Sequence, residues 1–123
     1  EDAELPFHLA YDKDGNFIGA AVETFTNKGF SGNISLMVGI LADGTVNNIS
    51  VLQHAETPGL GSKMSEPSFK DQFNNKHADS FNFNVKKDGG DVDAITAATI
   101  SSRAFCDAVN RAISTFENNK GGF

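Results

Sequence analysis

The 123-residue chain reads as an α+β domain, an antiparallel sheet of about five strands packed by one long C-terminal helix and one short helix. Three observations carry that expectation. Two tight connections containing Asp-Gly, in "YDKDGNF" and "LADGTV", each lie between runs rich in β-branched and aromatic residues. From Ile100 onward, apolar residues recur at near-helical spacing as far as Phe116. Between these regions "ETPGLGSKM" interrupts any period with one Pro and two Gly.

Taken in order, "FHLAYDKDGNFIGAAVETF" is strand, turn and strand, with Asp12 to Asn16 as the turn. The glycine-bearing loop "NKGFSGN" leads into a second hairpin, in which "ISLMVGIL" and "TVNNISVLQ" flank Ala42-Asp43-Gly44. Val46, Ile49 and Val51 alternate imperfectly with Asn47, Asn48 and Ser50, which leaves one face wet and room for a bulge. A short helix is expected to start at Ser65 with Pro67 in its first turn. Residues 73–80 read as polar loop, and Phe81, Phe83 and Val85 alternate as a fifth strand before the turn "KKDGGD". The final amphipathic helix carries Ile100, Phe105, Val109, Ala112, Ile113 and Phe116 on its apolar stripe, and "NNKGGF" is a frayed tail. No repeat, low-complexity block or linker divides the chain, so residues 1–123 form a single domain.

Composition narrows the function. Hydrophobic residues make up 39% and charged residues 21%, as in ordinary globular domains, with 11 Phe, one Tyr and no Trp. The net charge of −6 and the absence of any basic run beyond Lys86-Lys87 argue against nucleic-acid binding, which needs phosphate-neutralising cations. Cys106, the lone cysteine, sits in the helical apolar rhythm and is expected to be a buried thiol. His8, His54, His77 and Cys106 lack the close pairing of a zinc site, so no metal is expected. No window of about 18 apolar residues occurs. The acidic start without Met resembles neither signal peptide nor anchor, and suggests a processed or truncated chain.

The chemistry concentrates in "DAITAATISSRAF", residues 93–105, where Thr96, Thr99, Ser101 and Ser102 crowd one helix entrance. With Thr96 as N-cap, the first-turn amides of Ala97, Ala98 and Thr99 lack intrahelical partners and face the positive end of the helix dipole. Small side chains at Ala97 and Ala98 leave clearance for a phosphate. On these residues alone, simple capping and phosphate binding both stand. No Walker or dinucleotide fingerprint accompanies them.

"DAITAATISS" resembles the flavinylation motif of the FMN-binding domain family, in which an acid precedes a Ser/Thr-Gly-Ala-Thr core. "HAETPGLGSKM", within "GFSGNISLMVGILADGTVNNISVLQHAETPGLG", is similar to a second segment of the same family, in the same order. Within the family the likeness runs to flavin subunits of ion-translocating complexes of the Rnf and sodium-translocating NADH:quinone reductase kinds. The resemblance implies FMN held covalently on Thr99 through a phosphoester, with Thr96 as the first hydroxyl of the core and Asp93 as the motif acid. Ala97 occupies a place where the family usually has Gly, a change without cost if the backbone there is helical. Glu56, Thr57, Leu60 and Gly61 become the expected flavin-contacting group, Ala97 and Ala98 the phosphate clearance, and Lys63 a charge near the pyrimidine edge. His54 reads as a surface residue.

The implied role is an electron carrier that is not an enzyme alone, serving other subunits of a membrane electron-transport complex. Maturation by a separate flavin transferase using FAD and a divalent metal is implied, as is an extracytoplasmic location on a transmembrane anchor missing from this chain. Two other readings remain at this point: the FMN-binding module of an extracytoplasmic reductase, and a flavin-free interaction module.

Overall fold

A computed structural model describes residues 5–122. Four strands, β1 (Phe7–Tyr11), β2 (Phe17–Gly29), β3 (Gly32–Leu41) and β4 (Val46–Gln53), form an antiparallel meander in the order β1-β2-β3-β4. Helix α1 (Pro67–Lys70) and the long helix α2 (Thr99–Asn119) complete the regular elements, with short 3-10 turns at Gly61–Ser65 and Asp71–Phe73 extending the α1 region on both sides. Pro67 occupies the first turn of α1 as expected, where its missing N–H costs nothing.

Both turns rest on glycine with a left-handed backbone, Gly15 (φ 86°) and Gly44 (φ 95°). Between them β2 and β3 pair over most of their length, with Val22 opposite Val38, Thr24 opposite Leu36 and Thr26 opposite Ile34. Alternation turns Val22, Ile34, Leu36, Val38 and Ile49 into one core with Phe105, Val109, Ala112 and Phe116 of α2. Two buried hydroxyls lock this interface: Thr24 Oγ1 donates to Ala108 O (2.9 Å) and Thr26 Oγ1 to Asp107 Oδ2 (2.8 Å). The register of β4 against β3 shifts twice, so the imperfect alternation of Val46 to Val51 does mark an irregular strand.

Among the described residues the sheet has four strands, not five. Phe83 and Val85 point inward as their alternation implies, and Phe83 stacks near Phe73 with centroids 6.1 Å apart. Residues 81–85 nevertheless pair with no sheet strand. Their backbone is met locally: Asn82 N–H donates to Asp91 Oδ2 (2.7 Å), Asn110 Nδ2 donates to Phe83 O (3.1 Å), and Val85 bridges Val92 alone. The four rings of Phe69, Phe73, Phe83 and Phe105 cap this end of the core. Among the described residues no helix is long and apolar enough to cross a membrane.

Candidate functional site

The helix entrance differs from a simple Thr96 cap. Helix α2 begins at Thr99 with Ala98 as N-cap residue and no side-chain cap, and Ala97 is left-handed at φ 63°. Thr96 is therefore outside the helix. Ala97 takes the backbone conformation that glycine adopts freely, so the expectation that alanine costs nothing there is corrected: a Cβ in this region costs about 1–2 kcal/mol. The sharp turn is held by Ser102, whose buried hydroxyl accepts from Ile95 N–H (2.9 Å) and donates to Ala98 O (2.9 Å). Ser102 N–H to Ala98 O (3.0 Å) is the first i to i−4 bond of the helix, so the amides of Thr99, Ile100 and Ser101 precede it and have no carbonyl partner in the helix.

Four hydroxyls crowd this stretch, and the fold gives them different work. Ser102 closes the turn, and Ser101 Oγ donates to the buried carboxylate of Glu56 (2.5 Å). Thr96 is exposed on the far side of the segment. Among the described residues Thr99 alone combines a half-buried position, an open cleft in front of it and a hydroxyl without a hydrogen-bond partner.

That cleft encloses about 370 Å³, within the range of small-molecule sites. Three walls form it: the helix entrance from Ala97 to Ser101; the loop residues Thr57, Leu60 and Gly61; and Phe30 at the tip of the β2–β3 hairpin. Phe30 is 67% exposed, Ile100 48% and Leu60 38%, so large apolar side chains overhang an open mouth. Gly61 is required by proximity, since a Cβ on it would press on Ser101 Oγ and come within 2.8 Å of Glu56 Cβ. The two sequence segments that carry the family resemblance thus meet across one opening.

Five of the expected site residues line the cleft: Thr99, Ala97, Ala98, Thr57 and Leu60, with Gly61 as a sixth at its floor. Glu56 lies behind it, 4% exposed. Lys63, Asp93 and Thr96 fall instead in a groove of about 310 Å³ on the other side of the segment. There Gln72 clamps Asp93 through its backbone, accepting from Asp93 N–H (2.7 Å) and donating to Asp93 O (2.9 Å), while the Asp93 carboxylate pairs with Lys86 at 2.8 Å. The bond to Asp93 holds the Lys86 ammonium above its ordinary range. Phe30 and Ile100 also line the cleft, and neither was among the expected site residues. An aromatic in the Gly29-Phe30-Ser31-Gly32 hairpin tip was the available signal for Phe30, whereas Ile100, expected on the apolar stripe, lies about 140° around the helix from Phe105 and so faces outward. Cys106 is buried as expected, and burial pushes its thiol up to about 12, which leaves it an unreactive core group.

An open apolar cleft at the start of a long helix, beside a glycine-rich loop, defines a small ligand-binding domain of the α+β class. Residues 29–114 match the FMN-binding domain family, and the chain belongs to it. A relative from Shewanella baltica, described as a subunit of the ion-translocating oxidoreductase complex, is 40% identical over 124 residues, covering 97% of this chain and 58% of the relative. One from Methanosarcina acetivorans with the same description is 38% identical over 117 residues, covering 94% and 60%. The chain thus spans little more than half the length of the curated relatives it matches. Two solved structures share the fold at 22% identity. Shewanella oneidensis NqrC has a TM-score of 0.68, covering 95% of this chain and 61% of that one. A subunit of the Na(+)-translocating NADH-quinone reductase of Parabacteroides distasonis has a TM-score of 0.75, covering 97% and 64%.

Proposed function

We propose that this domain carries FMN covalently on Thr99 and relays electrons inside a membrane-bound, ion-translocating electron-transport complex. The observation that carries the reading is the meeting of a partnerless Thr99 hydroxyl, three unengaged helix amides and an apolar overhang at a single cleft.

The residues fit FMN part by part. The amides of Thr99, Ile100 and Ser101 and the positive end of the helix suit a phosphate, and no cation is needed to line the cleft. The faces of Phe30, Leu60 and Ile100 suit a flat tricyclic ring. Once bound, FMN supplies the redox chemistry by accepting and releasing electrons. The chain's own work is to hold the phosphate at Thr99, seat the ring between hairpin tip and loop, and leave one edge open toward partner subunits. Thr99 is a weak nucleophile and no base among the described residues bonds to its hydroxyl, so attachment falls to a separate flavin transferase. Attachment would join the Thr99 oxygen to the phosphorus of the FMN half of FAD, with AMP as the leaving group and the hydroxyl proton passing to the transferase or solvent. The same reading places the domain on the extracytoplasmic side of the membrane, with Asp93, clamped by Gln72, presenting the motif to the transferase.

Visible absorbance and intact mass of the protein, produced with and without a flavin transferase, test the proposal. A yellow product heavier by one FMN less one water, formed only with the transferase, is expected. A colourless product of unchanged mass under both conditions would refute it in favour of a flavin-free interaction module. Rapid turnover of a small organic acceptor by the isolated domain would favour the reductase.

A further inference from the structure

Glu56 is a buried carboxylate without a cation partner among the described residues. Burying such a charge is costly, and an apolar side chain would fill the same space without that cost. What the carboxylate provides is convergence. Its Oε1 accepts from Phe30 N–H (3.0 Å) and from Ser101 Oγ, and its Oε2 accepts from Ser31 N–H (2.9 Å). Its own N–H donates to His54 Nδ1 (3.0 Å), which fixes the start of the loop that carries Thr57 and Leu60. The donors to the carboxylate come from two walls of the cleft, the hairpin tip and the helix entrance, and Glu56 itself stands at the start of the third, the loop. The surroundings are built for it, because Gly29 and Gly61 both leave room for this side chain; a Cβ on Gly29 would lie 3.0 Å from Glu56 Oε2.

We infer that Glu56 is a positioning residue that sets the separation of the cleft walls and holds Phe30 over the opening, acting on the flavin through the hairpin tip and not by contact. The functional half of this inference rests on the flavin reading above. Glu56→Gln tests it with little change of shape. A carboxamide has one accepting oxygen where the carboxylate has two, so whichever way it turns its NH₂ faces a donor, and at least one contact with the hairpin tip or Ser101 is lost. The orphaned group is buried or half-buried, so the loss is felt.

Amide hydrogen exchange is measured on the flavin-free domain, and fluorescence anisotropy decay on the flavin-loaded domain. The expected result for Glu56→Gln is exchange at Phe30 or Ser31 accelerated tenfold or more while Leu36 and Val38 in the sheet keep their rates, together with a fast depolarising component from the loosened ring. Glu56→Asp, which keeps both acceptors on a shorter stem, should recover part of the protection. Unchanged exchange at the tip overturns the inference, and so does uniform acceleration throughout the core. A loosened tip with an unaltered flavin anisotropy overturns the link to the cleft. If wild-type protein never takes up flavin, the carrier reading fails, while the exchange measurement still decides whether Glu56 holds the tip.

Discussion

Replacing Ala97 with glycine should stabilise the domain, against the usual expectation for a residue next to a helix. At φ 63° the alanine Cβ crowds its own carbonyl, a cost of about 1–2 kcal/mol that glycine escapes. Glycine forfeits about 0.4–1 kcal/mol through the greater freedom of the unfolded chain, so the central values leave a net gain of about 0.8 kcal/mol. Little packing is lost, because Ala97 is exposed. An unfolding entropy of about 2.1 cal/mol/K per residue gives about 0.26 kcal/mol/K for the domain, and the midpoint should therefore rise by about 2–4 °C. Calorimetry of Ala97→Gly and Ala97→Val reads this directly, with the β-branched variant expected to fall, since valine tolerates a left-handed backbone worse than alanine. A lowered midpoint for glycine with a neutral valine would mean the backbone at 97 is helical and the geometry of the entrance is wrong.

Two further outcomes follow from the site and its surroundings. Leu60→Asp should leave attachment intact but lower the flavin midpoint potential, because a carboxylate beside the ring opposes added electron density by on the order of 1 kcal/mol; an unchanged potential and spectrum would remove the loop from the site. Cys106 predicts a pH dependence of stability. Its folded value is raised from 9.0 to about 12, so its contribution is fully present below pH 9 and is lost as pH rises from 9 toward 12, at up to about 1.4 kcal/mol per pH unit. Urea unfolding at pH 7 and 10 should show this slope in the wild type relative to Cys106→Ala; equal slopes in the two proteins would refute it.

Much of this architecture could be read from local chemistry. The turn at Asp12 to Asn16 needs only an acid to accept backbone N–H groups and a glycine for φ 86°, and both are visible in the letters. The long helix announced itself by periodicity. Where reading failed, the missing information was not local. The alternation of Phe81, Phe83 and Val85 reports which side chains face the core, but a period of two does not say whether a partner strand exists. The alanines of "TAAT" suit a helix, and nothing in it reveals that Ser102 bonds back to Ile95 while Ala97 turns left-handed. For the site, the resemblance located two segments and the fold brought them together. It could not separate Leu60, which faces the cleft, from Glu56, which stands behind it bonded to residues 25 and 45 positions away, or from Lys63 on the opposite side.

The carrier reading stands or falls on the attachment point, and one comparison decides it: intact mass and denaturation-resistant yellow colour of wild type, Thr99→Ala and Thr96→Ala, each produced with a flavin transferase. Alanine is a good residue at the first helical position, so Thr99→Ala should remain folded. Covalent flavin is expected in the wild type and in Thr96→Ala, whose hydroxyl lies outside the cleft, and none in a folded Thr99→Ala. Covalent flavin on Thr99→Ala, or its loss from Thr96→Ala with Thr99→Ala still labelled, would contradict the assignment.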